Sequence, residues 1–307
     1  MQTTLQTSVT FNGVGLHLGE PVQMVVNPAP ARHGIVFERL DVAQGTGRIA
    51  ALWDHVVQTP LNTRIVNSHD VTVSTIEHIM AALAGCGIHN AHVTLNGPEV
   101  PIMDGSSAGF VQELVKAGNA IIDAPLYVIE VLKTVEVQRG DATARIEPAR
   151  ALQIDFAIDF DDGAIGQQRK NLPMANGAFV RELCDSRTFC RQADVDAMQA
   201  NGLALGGVPG VNAVVVDGDH VVSPGGLRHA DEAVRHKMLD ALGDLYTAGA
   251  PILGQYTGIR AGHALTNELL RVLFAQADAW RWVRADAMTA AQLPGVGVRL
   301  ADLSAVA

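Results

Sequence analysis

The sequence predicts an α+β protein built from two similar halves, and three observations carry that reading. Short runs of alternating apolar and polar residues lead into a helix, a strand and a second helix, and this order occurs twice. When His78 is laid on His236, Gly85 falls on Gly243, the turn at 104–105 falls on 262–263, and the second helices of the two halves coincide. The chain has 307 residues, 48% of them hydrophobic, which suffices for one large domain or two of ordinary size. The division that follows is a first α+β domain at 1–122 and a second at 123–307, joined near 120–126.

Taken in order, the first 70 residues break into short alternating runs punctuated by Gly, Pro and Asn, of which VQMVVNP (22–28) is a strand. A helix is expected from Ser74, where Ser74-x-x-Glu77 has the form of a capping box. AHVTLNG (91–97) reads as a strand and SSAGFVQELVKAG (106–118) as the second helix. The second set of strands opens with APLYVIEVLKTVEVQ (124–138) and continues in ARALQIDFAIDF (149–160). A helix around 174–185 precedes a loop-rich stretch to about 230. The strongest helix is DEAVRHKMLDALGDLYTAG (231–249), and a strand near 251–257 and a helix from 264 to 276 close the pattern.

Composition excludes several classes. A formal net charge of -10 is unsuited to non-specific nucleic-acid binding or to electrostatic docking on anionic membranes. Three cysteines, Cys86, Cys184 and Cys190, form no C-x-x-C pair, so neither a disulfide framework nor a cysteine metal site is expected. The first residues lack the basic and apolar regions of a signal peptide, and no run approaches the length of a membrane span. A cytoplasmic protein is expected, with transient membrane-surface contact and oligomeric state left open.

The chemistry is concentrated on two helices. Along 231–249, Val234, Met238, Ala241, Leu242 and Leu245 form an apolar face, while His236, Asp240 and Asp244 recur every four residues on the other side. A His and an Asp so spaced can hold one metal ion, although the same pattern is also the ordinary polar face of an amphipathic helix. In the first helix Ile76, Ile79, Met80 and Leu83 form the apolar face, and His78 lies opposite beside Ala81, Ala82 and Gly85. Such small neighbours imply a second packed face, where a lone histidine is more often structural than a ligand. The internal repeat alters that weighing, because it sets His78 and His236 at equivalent positions of equivalent helices. Halves packed about an approximate two-fold axis would bring them together. Two histidines and one carboxylate leave a fourth position open for water, as catalytic zinc sites do. Zn²⁺ suits these ligands, and Fe²⁺ or Co²⁺ would also fit. Glu77 is then either a helix cap or a general base beside a ligand. His263, at a glycine turn, is either a first-turn residue or a general acid held protonated by Asp244. Lys237 adjoins a ligand and could offset developing negative charge.

These residues lie in longer motifs: GVGLHLGEPV (13–22), VSTIEHIMAALAGCGI (73–88), PIMDGSS (101–107), IDFDDGAIG (158–166), RTF (187–189), VRHKMLDALGDL (234–245) and GHALTNELL (262–270). Over nearly its whole length the chain resembles the UDP-3-O-acyl-N-acetylglucosamine deacetylases, zinc enzymes of lipid A synthesis in Gram-negative bacteria. The resemblance implies two domains with the helices sandwiched between two sheets. It implies His78, His236 and Asp240 as zinc ligands, Glu77 as base, and His263 as acid with Asp244 behind it. Thr188 matches a hydroxyl that helps hold the oxyanion, and Lys237 a residue near the reacting carbonyl. Leu16, His17 and Phe160 match contacts to an acylated UDP-sugar, Phe160 packing on the uracil. The segment near 190–222 matches an insert that forms a passage for the acyl chain, with Phe189 and Arg191 at its start.

Four departures fall on the substrate side. In RTFCRQAD, Cys190 stands for the family's Gly and Arg191 for an apolar residue. GGVPGVNA (206–213) keeps Asn212 but lacks the family's Asp, and Leu18 replaces Ser or Thr. Arg191 is therefore expected either to turn outward, leaving its stem to line the passage, or to shorten the passage or meet a more polar substituent such as a hydroxyl. Alternative readings are a paralogue acting on a related N-acetylated nucleotide sugar or another acyl chain, and a non-catalytic binding paralogue. Retention of Glu77, His78, His236, Asp240, Asp244 and His263 argues against the last.

Overall fold

The computed structural model describes residues 1–57, 59 and 61–305. In the first half, strands β1 (Val9–Val14), β2 (Pro21–Pro28), β3 (Ile35–Arg39) and β4 (Arg48–Ala50) precede helix α1 (Glu77–Gly85), strand β5 (Ala91–Leu95) and helix α2 (Ala108–Ala117). The sheet order is β1-β2-β5-β3-β4, with β5 antiparallel to β2 and parallel to β3. The second half runs β6 (Val135–Arg139), β7 (Ala142–Glu147), β8 (Gln153–Asp159), β9 (Gln167–Pro173), then helices α3 (Ala178–Glu182), α4 (Gln192–Ala200) and α5 (Glu232–Tyr246), strand β10 (Gln255–Ile259) and helix α6 (His263–Ala275). Its sheet order is β6-β7-β10-β8-β9, with β10 antiparallel to β7 and parallel to β8. The two sheets match strand for strand, which is the repeat that the alignment of His78 on His236 anticipates.

One buried face per sheet follows from alternation: Val22, Met24 and Val26 of β2 point inward and their neighbours outward. α1 and α5 pack on each other at the centre of the molecule, α2 lies on β1, α5 on β8 and β9, and α6 on β6 and β7. Every residue of α1 is buried. Each half carries an insert just before its first long helix. In the first it is a small sheet of Val56–Val57, Arg64–Val66 and Thr72–Val73, and in the second a small sheet of Phe189–Arg191, Val214–Asp217 and His220–Val221.

Three local expectations are corrected. α1 starts at Glu77 rather than Ser74, and no capping box forms. Ser74 Oγ donates instead to the Pro98 carbonyl, Thr75 adopts a left-handed φ of 60°, and the Glu77 carboxylate accepts from the Thr63 amide. Tertiary partners outcompete the local cap. The helix expected at 174–185 is reduced to α3, entered through left-handed Gly177. The stretch read as loop holds α4 and a three-stranded sheet, hidden because no residue of α4 is fully buried and its pattern is weak. The strands expected within 124–138 are Tyr127–Val131 and β6, which join different sheets. No helix among the described residues is long and apolar enough to cross a membrane.

Candidate metal centre and active site

His78 lies on α1 and His236 and Asp240 one turn apart on α5. The helices meet closely because Gly243 presents no side chain to the backbone of α1 at Glu77 and Ala81. One donor atom from each of the three residues falls within 4.8 Å of the other two. His236 Nε2 is 3.4 Å and His78 Nε2 3.7 Å from Asp240 Oδ1, with the two rings perpendicular at a centroid distance of 5.0 Å. His236 Nδ1 is 2.9 Å from the Ser186 carbonyl, an acceptor, so Nδ1 carries the proton and Nε2 keeps its lone pair.

The electrostatics match a cation. Burial, then the neighbouring His236, pulls His78 down to about 3, and burial lowers His236 as well. Burial opposes the charge of Asp240, but His236, Lys237 and His263 outweigh it and hold the carboxyl well below its usual range. Asp240 Oδ1 is buried without a hydrogen-bond partner among the described residues. A carboxylate oxygen facing two imidazoles and lacking a donor is costly unless a positive ion completes it. The three residues therefore fit a divalent metal.

Beside them lie His263 and Glu77. His263, the first residue of α6, places Nδ1 2.9 Å from Asp244 Oδ2 and Nε2 3.9 Å from both Glu77 Oε1 and Asp240 Oδ2. Burial alone would lower His263, but the carboxylates of Asp244, Glu77 and Asp240 outweigh it and raise the imidazole to about 9. Glu77 is pushed up to about 7, chiefly by burial, with Asp240 and Asp244 adding to the rise against the pull of His263. Lys237 Nζ donates to Asp240 Oδ2 at 2.8 Å; burial opposes its charge, and Asp240 more than restores it. Thr63, which the sequence does not single out, donates its hydroxyl to Asp244 Oδ1 at 2.5 Å and its amide to Glu77 Oε2 at 3.0 Å. Nothing local could reveal it, since Thr63 and Asp244 lie 181 residues apart.

A cavity of about 640 Å³ is lined by Leu16, His17, Leu61, Thr188, Phe189 and Cys190, together with α4 and the turn after it. Thr188 is pinned through its backbone, its amide donating to Gly105 and its carbonyl accepting from Val214. His17 is buried with both ring nitrogens unpartnered among the described residues, its backbone held by Glu99 at 2.9 Å. Glu99, another residue missed in sequence, also takes the Leu18 amide and the Thr75 hydroxyl. Phe160 is outside the cavity wall and packs edge-on against Phe189 at 5.5 Å. Arg191 is also absent from that wall. Its guanidinium forms a forked pair with Asp194 at 2.7 and 2.9 Å, and it is Cys190 that faces the cavity. The stem expected to line the passage is thus not in the wall, and the guanidinium goes to a carboxylate one turn along α4, a charge partner that the apolar cavity lacks.

A duplicated α+β fold with buried His, His and Asp donors, a carboxylate and a charged imidazole beside them, and an apolar cavity whose wall residue Phe189 has its ring 6.3 Å from that of His236, defines a hydrolase of the metal-assisted class. The chain belongs to the LpxC family, UDP-3-O-acyl N-acetylglycosamine deacetylase, whose model matches residues 2–275. It is 49% identical over 280 residues to the UDP-3-O-acyl-N-acetylglucosamine deacetylase of Phenylobacterium zucineum, covering 91% of this chain and 95% of that one. It is 44% identical over 287 residues to the enzyme of that name from Shewanella frigidimarina, covering 93% of each. With that of Stenotrophomonas maltophilia it shares 43% identity over 296 residues, covering 93% and 94%.

Proposed function

We propose that this protein hydrolyses the N-acetyl amide of UDP-3-O-acyl-N-acetylglucosamine, releasing acetate and the free amine, in lipid A biosynthesis. The convergence of His78, His236 and Asp240 with Glu77 and His263, and the 6.3 Å between the His236 ring and Phe189 of the cavity wall, carry this reading, and family membership agrees with it. His78, His236 and Asp240 would hold the ion, which we take to be Zn²⁺, one per chain; Fe²⁺ or Co²⁺ could occupy the same donors. When bound, it supplies Lewis-acid polarisation of the scissile carbonyl and the attacking water.

The rest falls to the chain's own residues. Glu77, through Oε1, takes the proton of the attacking water as the oxygen adds to the acetyl carbon. The Thr188 hydroxyl and the Lys237 ammonium steady the oxyanion that develops. His263 delivers its Nε2 proton to the departing nitrogen, and Asp244 keeps the imidazole charged until then. The C–N bond breaks, leaving acetate and an amine. The cavity takes the acyl chain, with Leu16, His17 and Phe189 along its wall, while Phe160 packs on the uracil. Domains at 1–122 and 123–307 would each supply part of the centre, the first Glu77 and His78, the second the rest. Three free cysteines suit a reducing compartment such as the cytoplasm.

The decisive assay is acetate release from purified, metal-loaded protein given UDP-3-O-acyl-N-acetylglucosamine, beside Glu77→Ala. Turnover in the wild type that falls on the order of 10²–10⁴-fold in the variant supports the reading. Ligand binding without acetate release would favour a non-catalytic paralogue. One observation favours a variant of the main reading: Cys190, which stands where the resemblance has Gly, lines the cavity, and a side chain there would narrow it and favour a different acyl chain.

A further inference from the structure

Thr63 immediately precedes strand Arg64–Val66 of the first insert and is buried. All of its polar groups are engaged, and they reach both halves of the molecule. Its amide donates to Glu77 Oε2 at 3.0 Å, its carbonyl accepts from the Ile76 amide at 3.3 Å, and its hydroxyl donates to Asp244 Oδ1 at 2.5 Å. The other oxygen of Asp244 meets His263 Nδ1 at 2.9 Å. Resting on the hydrolase reading above, we infer that Thr63 is the positioning residue that sets the general base and the general acid relative to each other.

The hydrogen-bond roles leave little freedom. An ionised carboxylate only accepts, so the Thr63 hydroxyl and His263 Nδ1 must both donate to Asp244. Each oxygen of Asp244 then has one fixed donor, and the carboxylate cannot turn. That fixes the plane of the imidazole and the proton on Nδ1, and aims Nε2 toward Glu77 Oε1, 3.9 Å away. Glu77 is held in the same way, with Oε2 anchored on the Thr63 amide and Oε1 left free for a proton. Thr63 touches no reacting atom. The amide is present whatever side chain follows, so substitution removes the link to Asp244 while leaving the link to Glu77.

The test uses full-length, zinc-loaded protein. Thr63→Val is expected to lower kcat by about 10–100-fold with KM and metal content unchanged, and Thr63→Ser to recover most of the loss. Thr63→Ala removes the same hydroxyl without a second methyl and stands in if the valine variant does not fold. In an Asp244→Asn background, Thr63→Val should cost no further activity. The low-field Nδ1–H proton resonance of His263 should shift or vanish in Thr63→Val and persist in Thr63→Ser. Wild-type kcat in the valine or alanine variant, or serine falling as far as valine, overturns the inference. If wild type releases no acetate, the hydrolase reading fails instead, and the His263 resonance still decides whether Thr63 positions the imidazole.

Discussion

Gly243 of α5 runs so close to Glu77 of α1 that a Cβ at Gly243 would overlap the Glu77 carbonyl oxygen and lie 2.9 Å from its carbon. Ala81, one turn on, would be 3.1 Å away at its amide nitrogen. That approach lets two helices from different halves place His78 and His236 with ring centroids 5.0 Å apart. In the repeat, Gly85 is the counterpart of Gly243, and a Cβ there would strike the Phe179 ring. Both glycines are thus explained by approach, not by backbone conformation.

Gly243→Ala should therefore separate α1 from α5. Overpacking of this kind costs about 1–3 kcal/mol, to be read from denaturant midpoints. Metal affinity should fall with it, since the ligand pair widens. Gly262→Ala is the control: its Cβ would meet nothing within 4 Å, and its stability should match wild type. Equal stability of Gly243→Ala and wild type would mean that the helices adjust freely.

Removal of any one ligand should empty the site. His78→Ala, His236→Ala and Asp240→Ala are expected to lose the metal by elemental analysis, as each takes away one of three protein donors. A ligand that binds only the folded state raises the melting temperature by mass action. Added Zn²⁺ should do so in metal-free wild type and not in Asp240→Ala. Full metal content in all three variants would refute the assignment.

The pH profile of kcat/KM should be bell-shaped. Glu77 acts as a base only when ionised, so activity rises with pH through its midpoint, about 7 in the metal-free pocket. His263 acts as an acid only when protonated, so activity falls through its midpoint, about 9 there. A cation beside Asp240 favours the less protonated form of each group, so both limbs should lie at or below those values once metal is bound. The limbs belong to the coupled pair rather than to either residue alone. His263→Ala should lose on the order of 10²–10⁴ in rate. Wild-type turnover with an unchanged alkaline limb in that variant would remove His263 from the acid role.

Chain preference should respond to Cys190 and not to Arg191. Each methylene buried in the cavity is worth about 0.8 kcal/mol, so its length sets the discrimination between acyl chains. Cys190→Phe fills the cavity and should depress kcat/KM for a long-chain substrate far more than for a short one. Arg191→Leu removes the pairs with Asp194 and Asp162, neither of which lines the cavity, and should leave that ratio unchanged. A shift toward long chains in Arg191→Leu would show that the guanidinium enters the passage during turnover.

The sequence by itself determined the duplicated α+β plan, the helical pattern that aligns His236, Asp240 and Asp244, and the small residues flanking His78. Periodicity and spacing are local properties, and α5 is long enough to display them. The repeat also made the meeting of His78 and His236 arguable before any coordinates, and the family's motifs covered the rest of the centre. Only the tertiary structure decided where α1 begins, because Pro98 and the Thr63 amide, distant in sequence, take the groups that a local capping box would use. It likewise decided that Thr63 holds Asp244, that Glu99 secures the backbone at His17, and that Arg191 turns away to Asp194 while Cys190 faces the cavity. These are matters of side-chain direction and, for Thr63 and Glu99, of partners remote in the chain. A buried hydrogen bond goes to whatever donor packing brings within reach, and no pattern of neighbouring residues encodes that.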